Sequence, residues 1–143
     1  MTDTEQQDDV TDTLEGKGDQ LNADDLIAGP VIVRVLDVRK VGDKKQPIII
    51  EIRTSEHRLR PWKPCLTMRR LLVAMWGSKK SAWKGKYVQL YNERDVSYGG
   101  KVTGGVRMMT ATLDAPFEAL LTVGRNKKQL YKVGVLEMPE VKS

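Results

Sequence analysis

The sequence predicts a mainly β domain with one helix, and three observations carry that expectation. Apolar side chains alternate at strand period from Pro30 to Val41 and again over Pro47–Arg53. The period becomes helical between Cys65 and Trp76. It then returns to strand character from Tyr87 to the end of a hairpin near Leu136.

The first strand, Pro30–Val41, alternates Val31, Val33 and Val35 with Ile32, Arg34 and Leu36. Pro30 is tolerated there because the first residue of a strand need not donate to a ladder. Gly42-Asp43-Lys44-Lys45 supplies the turn, and PIIIEIR (Pro47–Arg53) is the second strand. Residues 58–60 are long enough for a short third strand before Pro61 stops it. Met68, Leu71, Leu72, Met75 and Trp76 fall on one helical face, with Pro64 suited to the first turn and Gly77 to the C-terminal cap. A basic loop, SKKSAWKGK, leads to a fourth strand at Tyr87–Asn92. A glycine-rich loop, SYGGKVTGG, leads to a fifth at Val106–Leu113. Pro116 opens a last hairpin, Phe117–Val123 and Leu130–Leu136, around a turn at residues 124–128.

A five-stranded barrel with its helix between the third and fourth strands is the OB arrangement, here with an appended C-terminal β-hairpin. An SH3-like barrel and an open α+β sheet are competing arrangements of the same elements. The expected organisation is a disordered acidic tail over residues 1–20, a folded domain over 21–138 and a short C-terminal tail over 139–143. The leading stretch is almost free of large apolar side chains, so burial cannot offset the entropy of ordering it.

Charge is distributed very unevenly. Residues 1–25 hold nine carboxylates and one cation, Lys17, for a net charge of −8. The other 118 residues carry 23 Lys and Arg against 10 Asp and Glu, for +13. A body that basic suits a polyanionic partner. One cysteine, Cys65, excludes an intramolecular disulfide framework and suits a reducing compartment. No apolar run approaches the ~20 residues of a membrane helix, and the acidic N-terminus resembles neither a signal nor a transit peptide. The expected location is cytoplasmic, with no membrane contact.

OB domains bind oligonucleotides across strands 2 and 3, flanked by the loops joining strands 1–2 and 4–5. The first of those loops carries Lys40, Lys44 and Lys45, and the second, Arg94 to Gly105, carries Tyr98 and Lys101. Between them in sequence stand Arg58, Arg60, Trp62 and Lys63. Cations follow phosphates while aromatic rings stack on bases of any identity. Tyr91 lies on the polar face of the fourth strand with Tyr87, and Arg107 lies on the fifth strand. Trp83 sits in the strongest basic cluster, beside Lys84 and Lys86, and is either a stacking residue or a plug that tucks the loop onto the barrel. Trp62 is likewise either a stacking residue, exposed among Arg60, Lys63 and two prolines, or a core residue capping the helix. Trp76 belongs to the apolar stripe, and Arg69 and Arg70 to a solvated helix face. The tip at residues 124–128 is a secondary contact.

No catalytic residue is expected. His57 and Cys65 are single, without a third orienting group, and no metal-ligand spacing or phosphate-binding glycine motif occurs. Accordingly no cofactor and no metal are expected.

The stretches LNADDLIAGPVIVRVLDVRKV, RPWKPCLTMRRLLVAMWG and WKGKYVQLYNERDVSYGGKVTGGVRM resemble a family of small proteins of tailed phages. The resemblance runs from about Leu21 to Leu136. It implies an OB-like fold and single-stranded-DNA binding in phage replication or recombination, and it transfers no catalytic residue. The expected partner is therefore single-stranded DNA, with RNA left open because nothing in the sequence reads the 2′-hydroxyl. A replication or recombination protein and a second copy of the chain also stay open as partners. The alternative is an interaction module that inhibits a host defence complex, with the acidic tail as a DNA mimic.

Overall fold

A computed structural model describes residues 20–98, 101–102 and 104–137; of the expected tails at 1–20 and 139–143, all but Gln20 lie outside those residues, and Gln20 is buried. Gln20 and Leu21 are buried against the domain, followed by a 3-10 turn at Ala23–Leu26. Strand β1 is Val31–Lys40, β2 is Ile48–Arg53, and helix α1 is Leu66–Trp76. After a second 3-10 turn, Lys80–Ala82, come β3 (Tyr87–Glu93), the two-residue strands β4 (Ser97–Tyr98) and β5 (Lys101–Val102), and β6 (Gly105–Ala111). Strands β7 (Phe117–Gly124) and β8 (Lys127–Val135) form the closing hairpin.

Six of these strands make one open mixed sheet in the order β2-β1-β3-β6-β8-β7. The expected mainly β character holds, but the strand count differs from five. Two departures account for the difference. The stretch expected as a third strand touches β2 only through isolated bridges, Arg53 with Arg58 and Ile50 with Trp62. Pro61 and Pro64 lack the N–H that a continuous ladder needs. The closing hairpin is no appendage either: β8 runs parallel to β6, pairing Thr110 with Gly134 and Ala111 with Val135. Its turn is tighter than expected, since Gly124 pairs directly with Lys127 and Asn126 takes a positive φ of 56°. Asn tolerates that region because its short polar side chain can bond locally.

The core explains why each element holds its place. In β1 the buried positions are Val33, Val35 and then Val38, a change of parity imposed by an irregularity between Val35 and Asp37. One extra residue in a strand turns all later side chains to the opposite face. Ile50 and Ile52 of β2 and Val88 and Leu90 of β3 meet the same interior. Helix α1 closes it with Met68, Leu71 and Leu72, and stops where Gly77 at φ 98° donates to the Val73 carbonyl at 2.8 Å. Glycine suits this left-handed stop because it carries no Cβ.

Both sequence-ambiguous tryptophans are interior. Trp62 and Trp83 are each only 2% exposed, so neither presents a ring for stacking. Backbone pairing explains the first: Trp62 N–H donates to Ile50 O and Ile50 N–H donates to Trp62 O, both at 2.9 Å, turning the indole inward. Trp83 is the plug, its Nε1 donating to the Gly77 carbonyl at 2.8 Å and so fastening the basic loop to the end of α1. Trp76 is half-buried and donates through Nε1 to Thr112 O at 3.0 Å.

Trp62→Ala removes a large interior side chain and is expected to cost about 3–5 kcal/mol of stability. Urea unfolding followed by circular dichroism reads this as a lowered midpoint. An unchanged midpoint would contradict the interior placement.

Candidate functional site

Two adjoining clefts meet at Arg107. The larger, about 950 Å³, lies between the β1–β2 loop, the proline segment before α1 and the start of β6. Its walls carry Lys44, Lys45, Lys63, Arg69 and Arg107, with Asp24 and Asp43 as the carboxylates and Trp62 contributing to the lining.

Local bonds hold the cationic wall in shape. Asp43 Oδ1 accepts from the backbone N–H of Lys45 at 2.9 Å and of Gln46 at 3.3 Å, an Asx-type turn that folds the loop back. Those two N–H groups, Lys45 first, hold the Asp43 carboxyl below its ordinary 3.8. Arg69 spans loop and helix, donating through Nε to Pro64 O at 3.2 Å and through one terminal nitrogen to Lys45 O at 3.3 Å. Arg107 donates to Val106 O at 3.1 Å, and the same nitrogen lies 3.6 Å from Cys65 Sγ. Gly104 lets β6 begin close to β3: at φ 77°, an added Cβ would stand 2.5 Å from Asn92 Oδ1.

The smaller cleft, about 580 Å³, continues past Arg107 across β3, β6 and β8. Tyr91 and Arg107 are direct cross-strand partners, and Tyr131 of β8 joins them in the lining with Glu93, Asp95 and Met68. Tyr91 donates its hydroxyl to Glu93 Oε2 at 3.2 Å. Burial, followed by the neighbouring Glu93 charge, pushes the Tyr91 phenol up, and burial does the same for Tyr131. Both rings are partly covered and partly open, each with an apolar face and a polar end.

Of the residues expected from sequence, the structure gathers Lys44, Lys45, Lys63 and Arg107 at the first cleft and Tyr91 at the second. Others go elsewhere. Arg58 pairs with Glu51 at 3.2 Å, on the carboxylate that also receives Arg39 at 2.8 Å. Lys84 pairs with Asp37 at 3.4 Å. Lys86 donates to the Ala82 carbonyl and lies 5.8 Å from the Trp76 ring centroid, a cation–π contact that turns it inward. Arg60 is half-buried and Arg94 exposed, and neither lines a cleft. The side chains of Tyr98 and Lys101 lie outside the described residues.

Two contributors were not anticipated. Arg69, expected on a solvated face, is turned into the wall by its bonds to Pro64 and Lys45. Tyr131 shares strand parity with buried Val133, a signal visible in the sequence but diluted among Lys127, Lys128 and Lys132.

Among the described residues, no group of three or more His, Cys, Asp or Glu could hold a metal, and no helix is long and apolar enough to cross a membrane. No family model, no curated protein and no solved structure matches the chain.

Two outcomes test this geometry. The depressed Asp43 value makes its carboxylate stabilising above about pH 4, with the contribution lost as pH falls through the lowered folded value. Its carboxyl-carbon NMR titration should therefore have a midpoint below 3.8. Gly104→Ala combines a strained φ with a clash and should cost at least about 1 kcal/mol, seen as a lower thermal midpoint.

Proposed function

We propose that this protein holds single-stranded nucleic acid, DNA foremost, across the two clefts and without strong base preference. The observation that carries the reading is the junction at Arg107: a cation-walled cleft opens directly beside one lined by two partly exposed tyrosines. Phosphates gain from Lys44, Lys45, Lys63 and Arg69 through charge and counterion release. Tyr91 and Tyr131 offer ring faces, and a base reaches such a face only when it is not stacked within a duplex. Arg107 serves both parts, as a cation beside phosphate and a planar group beside bases.

The sheet supports an OB-like arrangement. Strand β1 lies between β2 and β3, residues 58–62 lie along β2, β6 follows beside β3, and the helix falls between those two halves. In that arrangement the β1–β2 loop and the approach to β6 flank the ligand, and both line the larger cleft here. The phage replication or recombination setting implied by the sequence resemblance belongs to the same reading. No reaction is assigned to the protein.

Fluorescence anisotropy of a labelled oligo-dT, titrated at low and moderate salt, tests the proposal. Binding should fall steeply with salt, and Lys44→Ala or Lys45→Ala should each reduce the logarithmic salt slope by about 1. Tyr131→Ala should weaken binding by about 1–3 kcal/mol with the slope retained. Trp83→Phe, a change in the interior, should leave affinity unaltered. Absence of binding at low salt would refute the reading.

A further inference from the structure

We propose that the larger cleft is also the docking surface for the chain's own acidic leading segment, residues 1–19, which occupies it when no other polyanion is bound. The inference rests on reading that cleft as a polyanion site. Residues 1–19 hold seven carboxylates against Lys17, a net of −6. The cleft wall holds five cations against Asp24 and Asp43, a net of +3.

Position strengthens the match of charge. Gln20 and Leu21 themselves line the cleft, and Leu21 is buried, its N–H donating to Pro61 O at 2.8 Å. The acidic segment is therefore tethered at the wall it would cover. Its 19 residues can extend roughly 65 Å, well beyond what the cleft requires. A tether this short holds the carboxylates at an effective concentration on the order of millimolar, so weak individual contacts suffice.

Several cations outside the cleft face partners of their own. Arg39 and Arg58 share Glu51, Lys84 pairs with Asp37, and Lys86 is bonded to the Ala82 carbonyl. The cleft offers the acidic segment a concentrated positive wall beside its own attachment point. Nucleic acid must then displace the segment to bind, which penalises weak polyanions more than ligands that also stack on Tyr91 and Tyr131.

Neutralising the seven carboxylates would raise affinity for any polyanion through net charge alone, so the test must locate the segment directly. Zero-length carbodiimide cross-linking of the full chain, dilute and at low salt, does so when read by peptide mass spectrometry. Amide links from carboxylates between Asp3 and Glu15 should fall on Lys44, Lys45 or Lys63, several-fold above those on Lys79, Lys80, Lys84 and Lys86. They should disappear near 1 M salt, where the screening length falls to about 3 Å. Links spread evenly over all lysines, or none from the segment, would overturn the proposal. Adding oligo-dT separates the two readings. Loss of the cleft links supports a shared site, whereas their persistence at saturating oligonucleotide places nucleic acid outside this cleft and leaves the docked segment standing.

Discussion

The reciprocal backbone bonds between Ile50 and Trp62 position almost everything that surrounds the larger cleft. They lay a proline-flanked segment along β2 without forming a regular strand, and they turn the Trp62 indole into the core. The same short segment then presents its other groups outward. The Pro61 carbonyl receives Leu21 N–H, the Pro64 carbonyl receives Arg69, and Cys65 stands just before α1 with its sulfur facing Arg107. Prolines suit this role because they fix φ and leave carbonyls unclaimed by a ladder. One anchored stretch thus determines where the helix begins and how the leading chain and the wall cations converge.

Much of the fold was legible in the sequence because periodicity reports burial directly. Val33, Val35, Ile50, Ile52, Val88 and Leu90 all follow the strand period, and Met68, Leu71 and Leu72 the helical one. Long-range pairing was not legible. Nothing local in YKVGV (Tyr131–Val135) states that Gly134 will lie beside Thr110, or that the hairpin will join the main sheet. Likewise the irregularity in β1, which reverses the parity of Val38, arises from pairing with β2 and not from a glycine or proline signal.

The candidate site was half legible for a different reason. Composition identifies cations but not their partners, and partners decide which charges remain available. Arg58 and Lys84 occur in sequence contexts as basic as that of Lys45, yet each faces a carboxylate across the sheet or loop. Such exposed pairs contribute little to stability, but they redirect local positive potential. Aromatic residues divide similarly. Trp62 and Trp83 are consumed by the interior, Trp62 turned inward by backbone pairing with Ile50 and Trp83 held by its indole bond to Gly77, while Tyr91 and Tyr131 stop at the boundary.

That division has a physical logic for the proposed binding surface. A buried indole contributes apolar area to the core, and its single N–H is readily satisfied by a carbonyl such as that of Gly77. A tyrosine at the rim keeps one ring face accessible while its hydroxyl restricts the ring's freedom, as the bond from Tyr91 to Glu93 does. Glu93 also places negative charge beside the rings, which on the proposed reading would oppose phosphate there and favour it along Lys44, Lys45 and Arg69. Arg107 stands at the border between those two environments, directly across the ladder from Tyr91. On the proposed reading, charge and stacking fall on neighbouring surfaces, so a flexible polyanion would gain fully only by lying across both, whereas an acidic peptide would satisfy the first alone.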